Sequence, residues 1–562
     1  MFRTLLPLLA RSLGKSPHKS PPRCRTRLLF EILEDRSVLS VSVVLNGHTL
    51  NIVDRDTTGH TIDFNQTVNQ DQFTVQVDGG SVQTLDGVSK IKADLGADSD
   101  NLSFNNGGFS TSLSGNLSVS DNGGSNTVVI DFSTIKGNVS VTEGNGTDSL
   151  QVGSLGGTFT IGGNLSITQG DGNEDQVNVE DNGTGSAIGG HLSVTQGDGN
   201  ADTIQVMGAI AIGGSLSMTQ GNGGGMAGSL FPDGDAAAFG LGVTVAGSAS
   251  ITQGNGGGGA QFGDVAETEF ATVGGNLSVT QGNGGAADGA VNGDLVLIAD
   301  TTVSGNVSAT QGNGGAAFGT IGDLVGITRA TVGGNVSITQ GNGGTVAGSV
   351  IGDLATIQLT SVGGNVSMSQ GNGGAVAGSI ADTEAIQDTT VGGNVSVTQG
   401  NGGAVAGSIS GDVTAFSGVV VSGSFSVTQG NGDKDVTGII GTNGFNSIGG
   451  NLSIAQGNGN GDITDLEESI FSGNTSLQLG NGSGDTVDIE STISGDFAGV
   501  TFVKNVSIKF GNGGGATLNV GTDDDPVTFD AKASFSADGS GNAYNQGTFV
   551  VFQPGQPTRQ DI

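Results

Sequence analysis

The residues best placed to do chemistry are acidic side chains set in glycine-rich turns. Four such turns read Gly144–Asn145–Gly146–Thr147–Asp148, Gly170–Asp171–Gly172–Asn173–Glu174–Asp175, Gly197–Asp198–Gly199–Asn200–Ala201–Asp202 and Gly480–Asn481–Gly482–Ser483–Gly484–Asp485. Carboxylate and carbonyl oxygens held on tight turns are the ligands a hard cation such as calcium prefers. Asp148, Asp175, Asp202 and Asp485 are therefore the candidate metal ligands, and calcium is the one cofactor the sequence invites. The competing reading is Asp as an ordinary turn residue. The central repeats read as having lost the acid, as at Gly400–Asn401–Gly402–Gly403–Ala404–Val405.

Catalytic chemistry finds little to work with. The chain carries only His18, His48, His60 and His191, and these show no pair at catalytic or metal-ligand spacing. Sugar-cleaving sites need carboxylate pairs beside basic residues and aromatic platforms, yet there is no Trp and one Tyr, Tyr544. The lone Cys24 lies in a basic leader without a base partner, and a single cysteine excludes an intrachain disulfide. The sequence reads as non-enzymatic, with a polysaccharide-active enzyme as the least favoured alternative.

Charge narrows the partners. The formal net charge is −35, and 8 of the 18 Lys and Arg residues fall in the first 40 positions, so the body is strongly acidic. Such a surface repels nucleic-acid phosphates and anionic lipids and attracts cations. No run approaches the roughly 18 apolar residues of a membrane-crossing helix.

The elements that must position these residues are repeats. From Leu113 onward one phrase recurs, as in Val332–Gly333–Gly334–Asn335–Val336–Ser337–Ile338–Thr339–Gln340–Gly341–Asn342–Gly343–Gly344. The glycine after the Gln position returns at Gly144, Gly170, Gly197 and onward to Gly511, at spacings of 23 to 33 residues, which is a solenoid period. Val332, Val336 and Ile338 share one parity while Asn335, Ser337 and Thr339 share the other, the signature of a half-buried strand. Two further runs, Val346–Ala347–Gly348–Ser349–Val350–Ile351 and Leu354–Ala355–Thr356–Ile357–Gln358–Leu359, predict three strands and three turns per coil. Glycine is expected at the corners because it supplies positive φ. Helical repeats are excluded, since no apolar stripe recurs at i, i+3 and i+4.

The expected fold is all-β: a single-stranded parallel β-helix, or β-solenoid, of about 14 coils, wound right-handed and closed by β-rich caps. One coil cannot bury its own apolar face, so stability comes from stacking. The repeat Asn residues (Asn116, Asn138, Asn164, Asn276, Asn306, Asn335, Asn365, Asn394, Asn451 and Asn474) all precede x-Ser. Their fixed place in the coil favours a stacked Asn ladder over use as glycosylation sequons, and His191 stands in the same column as a ladder substitution. Outward Asn-x-Ser-x-Thr rows form a flat array of amides and hydroxyls. Residues 1–40 read as an export or targeting leader, 41–110 as an N-terminal cap, 111–515 as the β-helix, and 516–562 as a C-terminal cap with a frayed tail.

Three resemblances add to this reading. The acidic turns resemble the calcium loops of RTX proteins, although most carry one residue more than the family's G-x-G-x-D spacing; the resemblance implies a calcium-binding β-roll module. Phe30–Glu31–Ile32–Leu33–Glu34–Asp35–Arg36–Ser37–Val38–Leu39–Ser40 resembles the LEPR-x-L-L segment of planctomycete surface and secreted proteins, with Asp35 in place of the family's proline. The body is similar to Gly/Asn-rich bacterial surface repeats and β-helical adhesins. Together these imply an extracellular or cell-surface protein with a structural or adhesive role, whose partners are surface glycans or other envelope proteins.

Overall fold

The structure is a computed structural model. It describes residues 40–562 except 70, 105–110, 132, 154–156, 225–233, 258–262, 284–292, 314–320, 344–350, 374–378, 403–409, 442–444, 491–498, 523–524 and 554. The leader with Cys24 and His18, its LEPR-like segment up to Leu39, and most of the run expected over 346–351 lie outside the described residues. Val41–Ile562 forms one compact unit.

Every described regular element is a strand, and the strands stack into a parallel β-solenoid of about 14 turns. One sheet takes a single strand from each coil, in the unbroken register Val307↔Val336↔Val366↔Val395. The other takes two, exemplified by Leu354–Gln358 and Ser361–Val362. The repeat phrase is therefore not one strand. Gly333–Gly334–Asn335 is a corner that sends Thr331–Val332 to the second sheet and Val336–Thr339 to the first. Val332, Val336 and Ile338 still share the interior, all nearly free of solvent exposure, because the corner preserves the inward direction.

Glycine at these corners serves a different purpose from the one expected. The corner glycines Gly333, Gly334, Gly341 and Gly343 do not take positive φ; a Cβ on Gly341 would run into the carbonyl of Gly312 in the coil below. At Gly341 close stacking of backbone on backbone, about 4.8 Å apart, leaves no room for a side chain, whereas the Gly333 position is filled by Ala246, Ser304 or Ser422 in other coils. The left-handed corner lies between the two strands of the second sheet, where Leu241, Phe270, Asp300, Arg329, Leu359 and Asp388 hold φ between 47° and 56°.

Among the described residues antiparallel pairing is confined to the start of the unit, where Val41–Asn46 pairs with Thr49–Asp54, and Gln72–Val77 pairs with both Thr61–Gln66 and Gln83–Asp86. Lys90–Asp94 already lies parallel to both Thr49–Asp54 and Leu117–Ser120. Towards the other end the interior fills with a stack of rings, Phe471, Phe502, Phe529 and Phe552, at centroid separations of 5.2, 5.0 and 4.7 Å. The last strand, Thr558–Gln560, pairs with Ser534–Ser536 within the segment that reads as a frayed tail, and Arg559 covers the Tyr544 ring at 4.0 Å.

Candidate functional site

The buried polar side chains that the repeats hold in common gather at one corner of the coil, between the Gln position and the first strand of the second sheet. Alternation along Val336–Ser337–Ile338–Thr339–Gln340 turns Gln340 inward, and it is 2 % exposed. Its Nε2 donates to Gln311 Oε1 at 2.8 Å and to the backbone oxygens of Asp323 and Leu354. The same side-chain bond recurs from Gln196 to Gln456, giving a continuous buried amide column. Gln169 ends it on Glu143 Oε2 at 2.8 Å, and burial pushes the Glu143 carboxyl up to about 8. Buried amides tolerate this site because each donor and acceptor is matched to its neighbour.

Beside it runs a column of carboxyls. Asp148, Asp175 and Asp202 occupy successive coils: the Asp148 N–H donates to Asp175 Oδ1 at 2.8 Å and the Asp175 N–H to Asp202 Oδ1 at 3.0 Å. The pattern continues through Asp235, Asp264, Asp294, Asp323, Asp353 and Asp382, and again from Asp412 through Asp435 and Asp462 to Asp485. The expectation that the central coils lose the acid is thus wrong. After Gly400 the acid is Asp412, carried past an insertion and returned to the same column. All four candidate ligands are members, but they face the interior instead of lying on open turns, each at most 1 % exposed.

In this column one carboxylate oxygen of every member except Asp412 is committed to a backbone N–H, while Oδ2 of every member from Asp148 to Asp462, and Oδ1 of Asp412 as well, has no hydrogen-bond partner. The second glycine of the turn lies against that carboxylate at Gly172, Gly199, Gly223, Gly256, Gly343 and Gly373; a Cβ on Gly343 would strike Asp353. Stacking at about 4.8 Å would set neighbouring charges against each other by roughly 3.5 kcal/mol at an effective dielectric of about 20. Desolvation comes first and this repulsion second for most members: the Asp175 and Asp202 carboxyls are pushed up to about 7, and Asp412 and Asp462 to about 8. A protonated carboxyl turns Oδ2 from an acceptor into a donor, which the buried site accommodates better than a naked charge. Beside Asp382 and Asp412, Glu384 is fully buried with neither oxygen bonded, and burial likewise holds it well above its ordinary value.

Outside, amides do the equivalent work in water. The N–H of Asn335 donates to Asn306 Oδ1, and that of Asn365 to Asn335 Oδ1, both at 2.8 Å. His191 joins this Asn ladder as expected, its Nδ1 accepting from the Ser215 N–H at 2.9 Å. A second exposed ladder, Asn313–Asn342–Asn372–Asn401, lies on the glycine-rich turn and was not foreseen. The outward side chains of the first sheet, among them Ser308, Thr310, Ser337 and Thr339, form two hydroxyl columns repeating about every 4.8 Å along the axis and about 6.6 Å apart along the strand.

Sequence reasoning missed the inward Gln column and nine acids of the Asp column. Parity alone points Gln340 inward; the acids vary in their distance from the preceding glycine turn, but Asp264, Asp294, Asp323, Asp353, Asp382 and Asp412 each stand ten residues before the first residue of the next corner, a spacing that reveals them. Among the described residues no helix is long and apolar enough to cross a membrane. Comparison with family models, with curated proteins and with solved structures gave no match.

Proposed function

We propose that the chain is a non-catalytic repeat protein of the cell surface or secreted space, with a structural or adhesive role. The observation that supports this is the uninterrupted register of the stack, in which the coils' common polar residues are spent on holding each coil to the next. Such a stack gains length and a flat hydroxyl-lined face by repetition, and the leader's resemblance to export segments accords with delivery to the envelope. Surface glycans or other envelope proteins are the partners this face suits. Proteolysis of intact cells tests the location: loss of the protein without lysis is expected, and full protection by an intact envelope would contradict it. Beads coated with the protein should then be retained on envelope glycans or on the cells themselves.

A calcium-binding role is the second reading, favoured by the unpartnered Oδ2 atoms of Asp148, Asp175 and Asp202. Calcium shared between successive rungs would neutralise the column as protonation does. A rise in melting temperature with millimolar calcium, lost in Asp175→Asn and Asp202→Asn, would establish it; no response leaves the column to protons.

A further inference from the structure

We propose that the N-terminal end of the solenoid holds one divalent transition metal of the zinc class, bound by Asp54, Asp56 and His60. This site is independent of the calcium reading and of the adhesive role.

The ligands come from one short corner. Thr49–Asp54 belongs to the first sheet and Thr61–Gln66 to the second, and the chain between them folds so that Asp54, Asp56 and His60 present one ligand atom each, all within 4.8 Å of one another. His60 Nε2 stands 3.2 Å from Asp56 Oδ1 and 3.8 Å from Asp54 Oδ2. Two ligands bonded at about 2.05 Å to a tetrahedral centre lie about 3.3 Å apart, so these separations bracket the edge of a zinc polyhedron.

Two further observations point to a cation. The Asp54 side chain is 0 % exposed, and its Oδ2, aimed at His60 Nε2, has no hydrogen-bond donor. Its Oδ1 accepts from the Asp56 N–H, which fixes the carboxylate's orientation. On the far side of the ring, His60 Nδ1 meets Asp78 Oδ2 at 2.7 Å, and Asp78 Oδ1 is held by the Thr61 N–H at 2.9 Å. A carboxylate on Nδ1 keeps the proton there and leaves the Nε2 lone pair facing the two acids, the usual outer support of a metal-bound histidine. The Thr58 hydroxyl, donating to Asp56 Oδ1, positions the second acid.

The ligand set selects the metal class. An imidazole nitrogen with two carboxylates suits zinc and its neighbours, whereas calcium and magnesium favour oxygen alone. Access is open, because the Asp56 and Asp78 side chains are 37 % and 50 % exposed. The site also sits at the head of the carboxyl column, since the His60 N–H donates to Asp100 Oδ1 at 2.6 Å and the Asp100 N–H to Asn126 Oδ1 at 2.8 Å. Bound metal would tie the first corner to the first rung.

The test is calorimetric titration of zinc chloride into the chelator-stripped full chain, with cobalt(II) absorption as a second readout. One saturable site per chain is expected, with intense cobalt bands of a low-coordinate site and a raised melting temperature. His60→Ala and Asp56→Ala should each weaken binding tenfold or more, and Asp78→Asn by about 10- to 100-fold. Asp56 is exposed enough that Asp56→Ala keeps the fold, checked by an unchanged circular dichroism spectrum. No saturable uptake, or equal affinity in Asp56→Ala and the unaltered chain, overturns the proposal and leaves His60 as an ion-paired imidazolium.

Discussion

The inner Asp column and the outer Asn ladders make the same bond in two media. Asp294 accepts the Asp264 N–H at 2.9 Å, and Asn306 accepts the Asn335 N–H at 2.8 Å; the first pair is buried and the second exposed. Outside, a neutral amide spends its second group on water or on the next amide. Inside, the second oxygen meets no donor, so the column must take up protons or cations to exist. A stacked ladder constrains the first polar atom, and the surrounding medium decides the ionisation of the second.

The largest expected effect is on pH. The column's carboxyls lie above their ordinary 3.8 when folded, by desolvation first, so the folded state binds more protons than the unfolded chain between about pH 4 and 8. Stability is then fully present below about pH 4 and is lost as pH rises through the folded values of about 7 and 8. A group raised by two units contributes on the order of 3 kcal/mol to that loss. Melting temperature measured from pH 5 to pH 9 should fall steadily; a rise over that window would break the comparison.

Gly343→Ala places a methyl against the Asp353 carboxyl and should cost about 2–3 kcal/mol in denaturant unfolding, whereas alanine at exposed Gly484, where nothing lies within 4 Å of the added carbon, should cost about 1 kcal/mol through its positive φ alone. Asp353→Asn keeps the acceptor and supplies a permanent donor, so it should stabilise the fold by about 1–3 kcal/mol at pH 8 and change little at pH 5. Gln340→Leu removes the acceptor that Gln370 uses at 2.9 Å and should cost about 1–3 kcal/mol. Asn342→Ala, on the wet side, should cost no more than about 0.5–1 kcal/mol.

The fold was legible because stacking forces repetition on the sequence: strand parity at Val336 and Ile338 and the recurring glycine after Gln340 both survive every coil. The Asn ladder and His191 were legible for the same reason. The corner at Gly333–Gly334–Asn335 was not, because a corner that preserves the inward direction leaves parity intact. The candidate site was only partly visible. Asp175 follows Gly170 by five residues and Asp353 follows Gly341 by twelve, yet both fill the same position. Lengthening a loop costs little closure entropy, so insertions accumulate between turn and acid and hide the column from a count that starts at the turn, whereas the count forward to the next corner stays at ten residues from Asp264 to Asp412. Gln340 was within reach of parity, since it follows Ile338 by two residues on the same face.

The most direct test of the neutral buried column is a titration of the Asp carboxyl carbons by carbon-detected NMR on the full chain labelled at aspartate, without added divalent cations. The column predicts a large group of aspartates, those stacked from Asp148 to Asp485, titrating above the ordinary carboxylate range. If the stacked aspartates ionise within the ordinary carboxylate range in the folded protein, these carboxyls are not neutral in a dry interior.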